Sequence, residues 1–233
     1  QSGIPFSFQN VSMVIPFGLS ESAKGEIVPE ANETNSDPWS LAPEHVMITL
    51  NGYPLTREGF GPLIHVYPAD QYFNANPGGA NSLTQLRNIL SNPGTPLTQA
   101  KLPGIPFFNA AKLYSAQVSL LKFQSGEGVR MISESAQYPA PIVRELNYYH
   151  FEGLTSDGKY FIVGLFPVTA PLQATNDNPS ADGIAFPADM GDEAGSQKYY
   201  QAVTDLLNSA SPDSFQPSLN QIDALIQSIQ ITP

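Results

Sequence analysis

Cysteine is missing from this chain altogether. Its absence removes disulfides, thiol nucleophiles and every metal site built on thiolates, and fits either redox compartment. Basic residues are scarce, with 10 Lys and Arg against 21 Asp and Glu, for a formal charge of −11. A surface of that sign repels nucleic acid and anionic headgroups at long range, so neither is expected as a partner. No apolar run approaches the roughly 18–20 residues that cross a bilayer as a helix. The stretch from Gln1 carries neither the basic n-region nor the apolar h-region of a secretory signal, so a signal is expected to have been removed or never present.

Short catalytic motifs are lacking too. Neither G-x-x-x-x-G-K-[ST] nor G-x-G-x-x-G occurs. The nearest approach is Gly153 to Lys159, but Tyr160 stands where a magnesium-binding hydroxyl belongs, and a strand follows instead of a phosphate-binding helix. The elbow G-x-S-x-G and the zinc motif H-E-x-x-H are absent. Ser119–Lys122 and Ser156–Lys159 match S-x-x-K, but the first lies in an expected strand and the second in a turn. Neither has the helix that would bring amine to hydroxyl. The commonest hydrolase and nucleotide-binding classes are therefore disfavoured.

What is present is a core-forming composition. Hydrophobic residues make up 41% and charged residues only 13%, with 22 Pro and 18 Gly. A lightly charged surface rich in Asn, Gln, Ser and Thr suits an exported bacterial protein better than a cytosolic enzyme. The most informative stretch is Tyr148 to Val168, where two β-rich runs flank Thr155-Ser156-Asp157-Gly158-Lys159. Asp-Gly between such runs signals a hairpin, because Gly accepts positive φ. Tyr160 to Phe166 is apolar on both faces except at Gly164, which marks an interior strand.

Around this centre the pattern is α+β. Phe6 to Ile15 alternates and reads as a first strand ended by Pro16, followed by a short helical turn or loop over Gly18 to Gly25. Residues 30–38 are polar and read as a loop. His45–Leu50 and Leu63–Tyr67 are strands. Asn81 to Leu90 has apolar residues at Leu83, Leu86, Ile89 and Leu90, a helical spacing that Asn81 or Ser82 would cap. A Pro-rich segment near 93–106 is expected to pack over the body. A meander of antiparallel strands spans about 113–168, and an acidic loop covers 171–195. Two helices close the chain, the last presenting Leu219, Ile222, Leu225, Ile226 and Ile229 on one face. The whole reads as one α+β domain over 1–233, a twisted antiparallel sheet packed against C-terminal and intervening helices. Its core should join Tyr149, Phe151, Phe161, Val163 and Leu165 to Ile222, Leu225 and Ile226.

Candidate sites are few, and no catalytic residue stands out. His45, His65 and His150 each fall in or beside a strand without local metal-ligand spacing, and read as separate half-exposed side chains. Glu127 and Asp157 would pair if their hairpins were adjacent, but such turn residues also serve backbone geometry alone. Most of the aromatics, among them Trp39, Tyr53, Tyr67, Tyr72 and Tyr148, read as core. The one candidate metal site is the acidic loop, where Asp177, Asp182, Asp189, Asp192 and Glu193 have no Lys or Arg among them. Oxygen ligands of this kind suit Ca²⁺, although Pro179 and Ala181 break the EF-hand pattern. A solvated acidic loop is the simpler reading.

The elements Phe151-Glu152-Gly153-Leu154-Thr155-Ser156-Asp157-Gly158-Lys159-Tyr160, Leu165-Phe166-Pro167-Val168, Val66-Tyr67-Pro68 and Leu225-Ile226-Gln227-Ser228-Ile229 carry a resemblance. From about residue 43 onward the chain resembles an uncharacterised family of bacterial exported proteins and lipoproteins. More distantly, a twisted antiparallel sheet closed by a C-terminal helix is similar to the PsbP-like fold. The resemblance implies export, with a lipid anchor on a Cys upstream of Gln1 as one form of it, and brings no catalytic residues. The expected function is an exported or cell-envelope binding domain for a protein, a cell-wall component or a small ligand. The alternatives are a hydrolase without a short motif and a structural envelope protein.

Overall fold

The computed structural model describes residues 2–55, 57, 60–105, 109–173, 183–189 and 191–232. It belongs to the α+β class, with helices packed on two antiparallel sheets. The small sheet holds β1 (Gly3–Phe8), β2 (Val11–Pro16) and β10 (Gln230–Ile231) in the order β1-β2-β10. The large sheet holds β3 (Ser22–Val28), β4 (His45–Asn51), β5 (Leu63–Pro68), β6 (Ala111–Phe123), β7 (Gly126–Ala136), β8 (Tyr148–Thr155) and β9 (Tyr160–Pro167). Its order is β3-β4-β5-β9-β8-β7-β6, so the expected meander forms one half and β9 joins it to the N-terminal strands.

Three local expectations change. Phe6 to Ile15 is a hairpin, because Gln9 adopts φ 53° and reverses the chain between β1 and β2. The Ser22–Gly25 part of the following stretch is strand β3, which pairs with β4 from Ser22↔Asn51 to Val28↔His45. Tertiary pairing overrides weak local propensity there. Helix α2 (Pro77–Ser91) starts ahead of the expected cap, since Asn76 caps it by accepting from the Gly79 N–H at 2.9 Å. Ser82 is thereby free for another role. A short helix α1 (Ala69–Ala75) precedes it, and α3 (Glu193–Ser209) and α4 (Leu219–Gln227) close the chain.

Both faces of the large sheet are covered. On one face, Tyr149, Phe151 and Phe166 pack with Ile222, Leu225 and Ile226 of α4 and with Val11, Met13 and Ile15 of the small sheet. On the other, Phe161 and Val163 pack with Leu83 and Leu86 of α2 and with Leu102 and Ile105 of the Pro-rich segment. The segment packs over the body as expected. The expected single cluster does not form: Phe161 and Val163 lie across the sheet from α4, and Leu165 belongs to neither cluster. The reason is register. Tyr149 pairs with Phe166 and Glu152 with Val163, so odd positions of β8 share a face with even positions of β9.

A polar node fixes α3 and α4 to the sheet. Strand β6 slips register between Ala116 and Ser119, and Gln117 within the slip has φ 54°. Its Nε2 donates to Leu207 O at 2.7 Å and Ala210 O at 2.9 Å, satisfying carbonyls at the end of α3. Its own carbonyl accepts from Arg130 Nη1 at 2.8 Å. Arg130 Nη2 reaches Asp223 Oδ2 of α4 at 3.2 Å, and Asp223 Oδ1 accepts from Tyr149 OH at 2.7 Å. Both members of this ion pair are largely buried.

Removing one partner of such a pair strands a charge away from water, at a cost of about 3–5 kcal/mol. Asp223→Ala is therefore expected to lower unfolding free energy on that scale in urea titrations. A loss below about 1 kcal/mol would show that Arg130 finds solvent without it. At the central hairpin, Gly158 has φ 72° and open space around its Cα. Gly158→Val should cost about 1–2 kcal/mol through backbone strain alone, and an unchanged melting temperature would contradict this.

Candidate functional site

The polar residues of the α2-covered face form one connected arrangement. Glu152 is fully buried on β8, one strand repeat from His150. Its Oε2 accepts from Ser82 Oγ of α2 at 2.5 Å, and its Oε1 accepts from the Ile105 N–H at 2.8 Å. His150 Nε2 stands 2.9 Å from the same Oε1. Ser82 Oγ also accepts from the Gly104 N–H at 2.7 Å. One carboxyl group thus ties α2, the 102–105 segment and β8 together. The sequence carried a signal for half of it: His150 and Glu152 sit at alternate positions of an otherwise apolar strand. Nothing local marked Ser82, which looked like a cap.

Beside this anchor lies a polar cleft of about 310 Å³, lined by Asn81, Gln85 and Gln99 and, at its floor, by Lys112, Tyr148 and His150. Lys112 Nζ donates to Pro103 O at 3.2 Å and lies 3.5 Å from Met131 Sδ. Burial pushes its amine below the usual lysine range, opposed by the field of Glu152. A second cleft of about 380 Å³ adjoins it, lined by Arg57, Phe60, Asn109, Gln137, Leu146 and Tyr148. The rings of Phe60 and Tyr148 meet edge to face at 5.8 Å, with the Arg57 guanidinium 5.9 Å from the Phe60 centroid. Arg57 is held by Asn147 O at 2.8 Å and Val168 O at 3.3 Å. Tyr148 OH and Ser135 Oγ are 2.6 Å apart, and burial pushes the phenol up to about 12.

The histidines divide differently from the expectation of three separate half-exposed side chains. His45 and His150 are buried, and His45 meets His65 with Nε2 2.9 Å from Nδ1. His45 Nδ1 lies 2.8 Å from Pro43 O, which can only accept, so the proton sits on Nδ1 of His45. Neutral His45 Nε2 then accepts from His65 Nδ1–H. Tyr67 stacks on His65 at 5.3 Å and on Tyr72 at 4.3 Å, so the pair belongs to an aromatic ladder under α1. Burial, followed by the neighbouring His45, pushes His65 down to about 3.

Of the acidic-loop residues, Asp177 and Asp182 lie outside the described residues. Asp189 Oδ1 accepts from the Gly191 N–H at 2.8 Å. Asp192 caps α3 by accepting from the Gly195 N–H at 2.8 Å, and Glu193 opens that helix. Among the described residues no three His, Asp or Glu side chains gather as metal ligands. The two hairpin tips are adjacent, with Ser156 N donating to Ser125 O at 2.8 Å. Asp157 nevertheless serves its own turn, accepting from Thr155 Oγ1 at 2.7 Å and Lys159 N at 3.1 Å. No helix among the described residues is long and apolar enough to cross a membrane. Comparison with protein-family models, with curated proteins and with solved structures gives no match.

Buried Glu134 near the second cleft gives this region a pH signature. Burial pushes its carboxyl up to about 8, while the Val143 N–H and Arg57 pull it down. The unfolded carboxyl titrates near 4.5, so the folded state holds the extra proton between these values. That stability is fully present below about pH 4.5 and lost as pH rises through about 8. His65 acts in the opposite sense: its stability is present above about pH 6.5 and lost as pH falls towards 3. Glu134→Gln keeps an acceptor for Val143 N–H, at 3.0 Å in the parent, but cannot ionise. It should match the parent at pH 5 and exceed it at pH 9 by on the order of 1 kcal/mol or more in urea unfolding. Equal stabilities at pH 9 would refute the burial argument.

Proposed function

We propose that this chain is an exported or cell-envelope binding domain that takes a small ligand in the two adjoining clefts, the smaller of which is lined by α2. The observation that carries it is the lining of the larger cleft. Phe60, Tyr148 and Leu146 supply apolar contact, and Asn109 and Gln137 supply amides. A few polar groups on an apolar wall are what recognition of a small molecule needs, and the volume is in the usual range for such sites. The charged groups there are already engaged: Arg57 by two backbone carbonyls and Glu134 by the Val143 N–H. Ser82, the serine beside a carboxyl and a histidine, is fully buried, with its hydroxyl committed to Glu152 and the Gly104 N–H. That disfavours a serine nucleophile. Export is supported by the lightly charged, Pro-rich composition and by the family resemblance.

Gln137→Ala and Leu146→Asp, both at exposed lining residues of the larger cleft, should separate this function from the fold. Leu146 is 43% exposed, so its substitution leaves the core untouched. A fragment screen followed by amide NMR should give shifts clustered at Ser135, Ala136 and Tyr148, and both variants should weaken the hits about tenfold. Hits scattered over the surface, or insensitive to both substitutions, would refute the reading. Turnover of small ester or amide probes, lost in Lys112→Gln, would favour a hydrolase instead.

A further inference from the structure

The two clefts share a wall of Ala110, Ser135 and Tyr148, so one ligand can reach both. Their chemistry differs. The outer chamber is apolar and aromatic, whereas the inner one ends at an ammonium group. That ammonium is incompletely satisfied. It has three N–H bonds: one is given to Pro103 O, and another faces the Met131 thioether, a poor acceptor. Among the described residues no carboxylate stands within 4 Å of Lys112 Nζ. Glu152 acts on it only through space, because its own oxygens serve Ser82, Ile105 and His150. The Asn81 and Gln85 side chains line the same chamber, and neither makes a hydrogen bond within the described chain.

The geometry points to a ligand with a single carboxylate on an apolar body, the carboxylate meeting Lys112 and the body lying along Phe60, Leu146 and Tyr148. This deepens the binding reading above and rests on it. A partly desolvated positive charge with an open donor is stabilised by an anion. One charge is the match: a single lysine faces the chamber, and Glu152 beside it opposes a second negative charge. The chain's net charge of −11 repels anions at a distance, so any preference for an acid over its neutral analogue must arise locally at Lys112.

Matched probes test this: 3-phenylpropionate against 3-phenylpropanamide, and octanoate against octanamide, titrated at pH 7 by amide NMR and calorimetry. The acids are expected to bind at least tenfold tighter than the amides, with shifts at Lys112, Ser135 and Tyr148. Lys112→Gln should abolish that preference and Lys112→Arg should retain much of it. The Lys112 Nζ titration, followed in the unmodified protein, should move upward when an acid is bound. If acid and amide bind the clefts equally, the carboxylate inference fails while the binding reading stands. If neither probe perturbs the clefts, both fail.

Discussion

The buried carboxyl of Glu152 is the constraint on which the α2-covered side of the molecule depends. A carboxyl group with no solvent access is tolerated only when its oxygens find donors. Here the hydrogen-bond donors come from two distant parts of the chain, Ser82 on α2 and the Ile105 N–H in the Pro-rich segment, and His150 Nε2 on the same strand stands 2.9 Å from one of the oxygens. Satisfying one group therefore fixes three elements relative to each other. The cleft beside it opens between α2, residues 102–105 and the sheet. Its floor, from Lys112 across to Tyr148 and His150, is set by the pleat of β6, β7 and β8.

The opposite face is organised by a different device with the same logic. Gln117, in the register slip of β6, turns its amide to the end of α3 and its carbonyl to Arg130. Arg130 then meets Asp223, which also receives Tyr149. Apolar packing of α4 against Tyr149 and Phe151 supplies the bulk of the contact, but apolar contact has no direction. The hydrogen-bonded node sets where along the sheet the two helices sit. The molecule thus has a helix-locked face and a cleft-bearing face, and its central strands β8 and β9 contribute to both.

Local signals decided much of the framework. The Asp157-Gly158 turn, the doubly apolar run of Tyr160 to Phe166, the helical spacing of Leu83 to Leu90 and that of Leu219 to Ile226 are all short-range properties, and each forms the expected element. They sufficed for the α+β class and the order of the meander. They did not suffice for strand β3, whose Ser-Ala-Lys-Gly opening has little β preference and forms only because β4 offers it partners. Nor did they reveal that Gln9 would break one alternating run into a hairpin.

What only tertiary structure decided is which side chains share a face, and hence the site. A one-residue choice of register between β8 and β9 moves Phe161 and Val163 to the face away from α4. The same choice places His150 and Glu152 under α2, where Ser82 and the 102–105 backbone can reach them. Lys112, Tyr148 and Phe60 lie far apart in sequence and are joined by strand pairing and loop packing, which no local pattern encodes. The sequence by itself determined most of the elements and the sign of the surface, because these follow from composition and spacing. The cleft and its lone ammonium follow from long-range register, which only the folded chain selects.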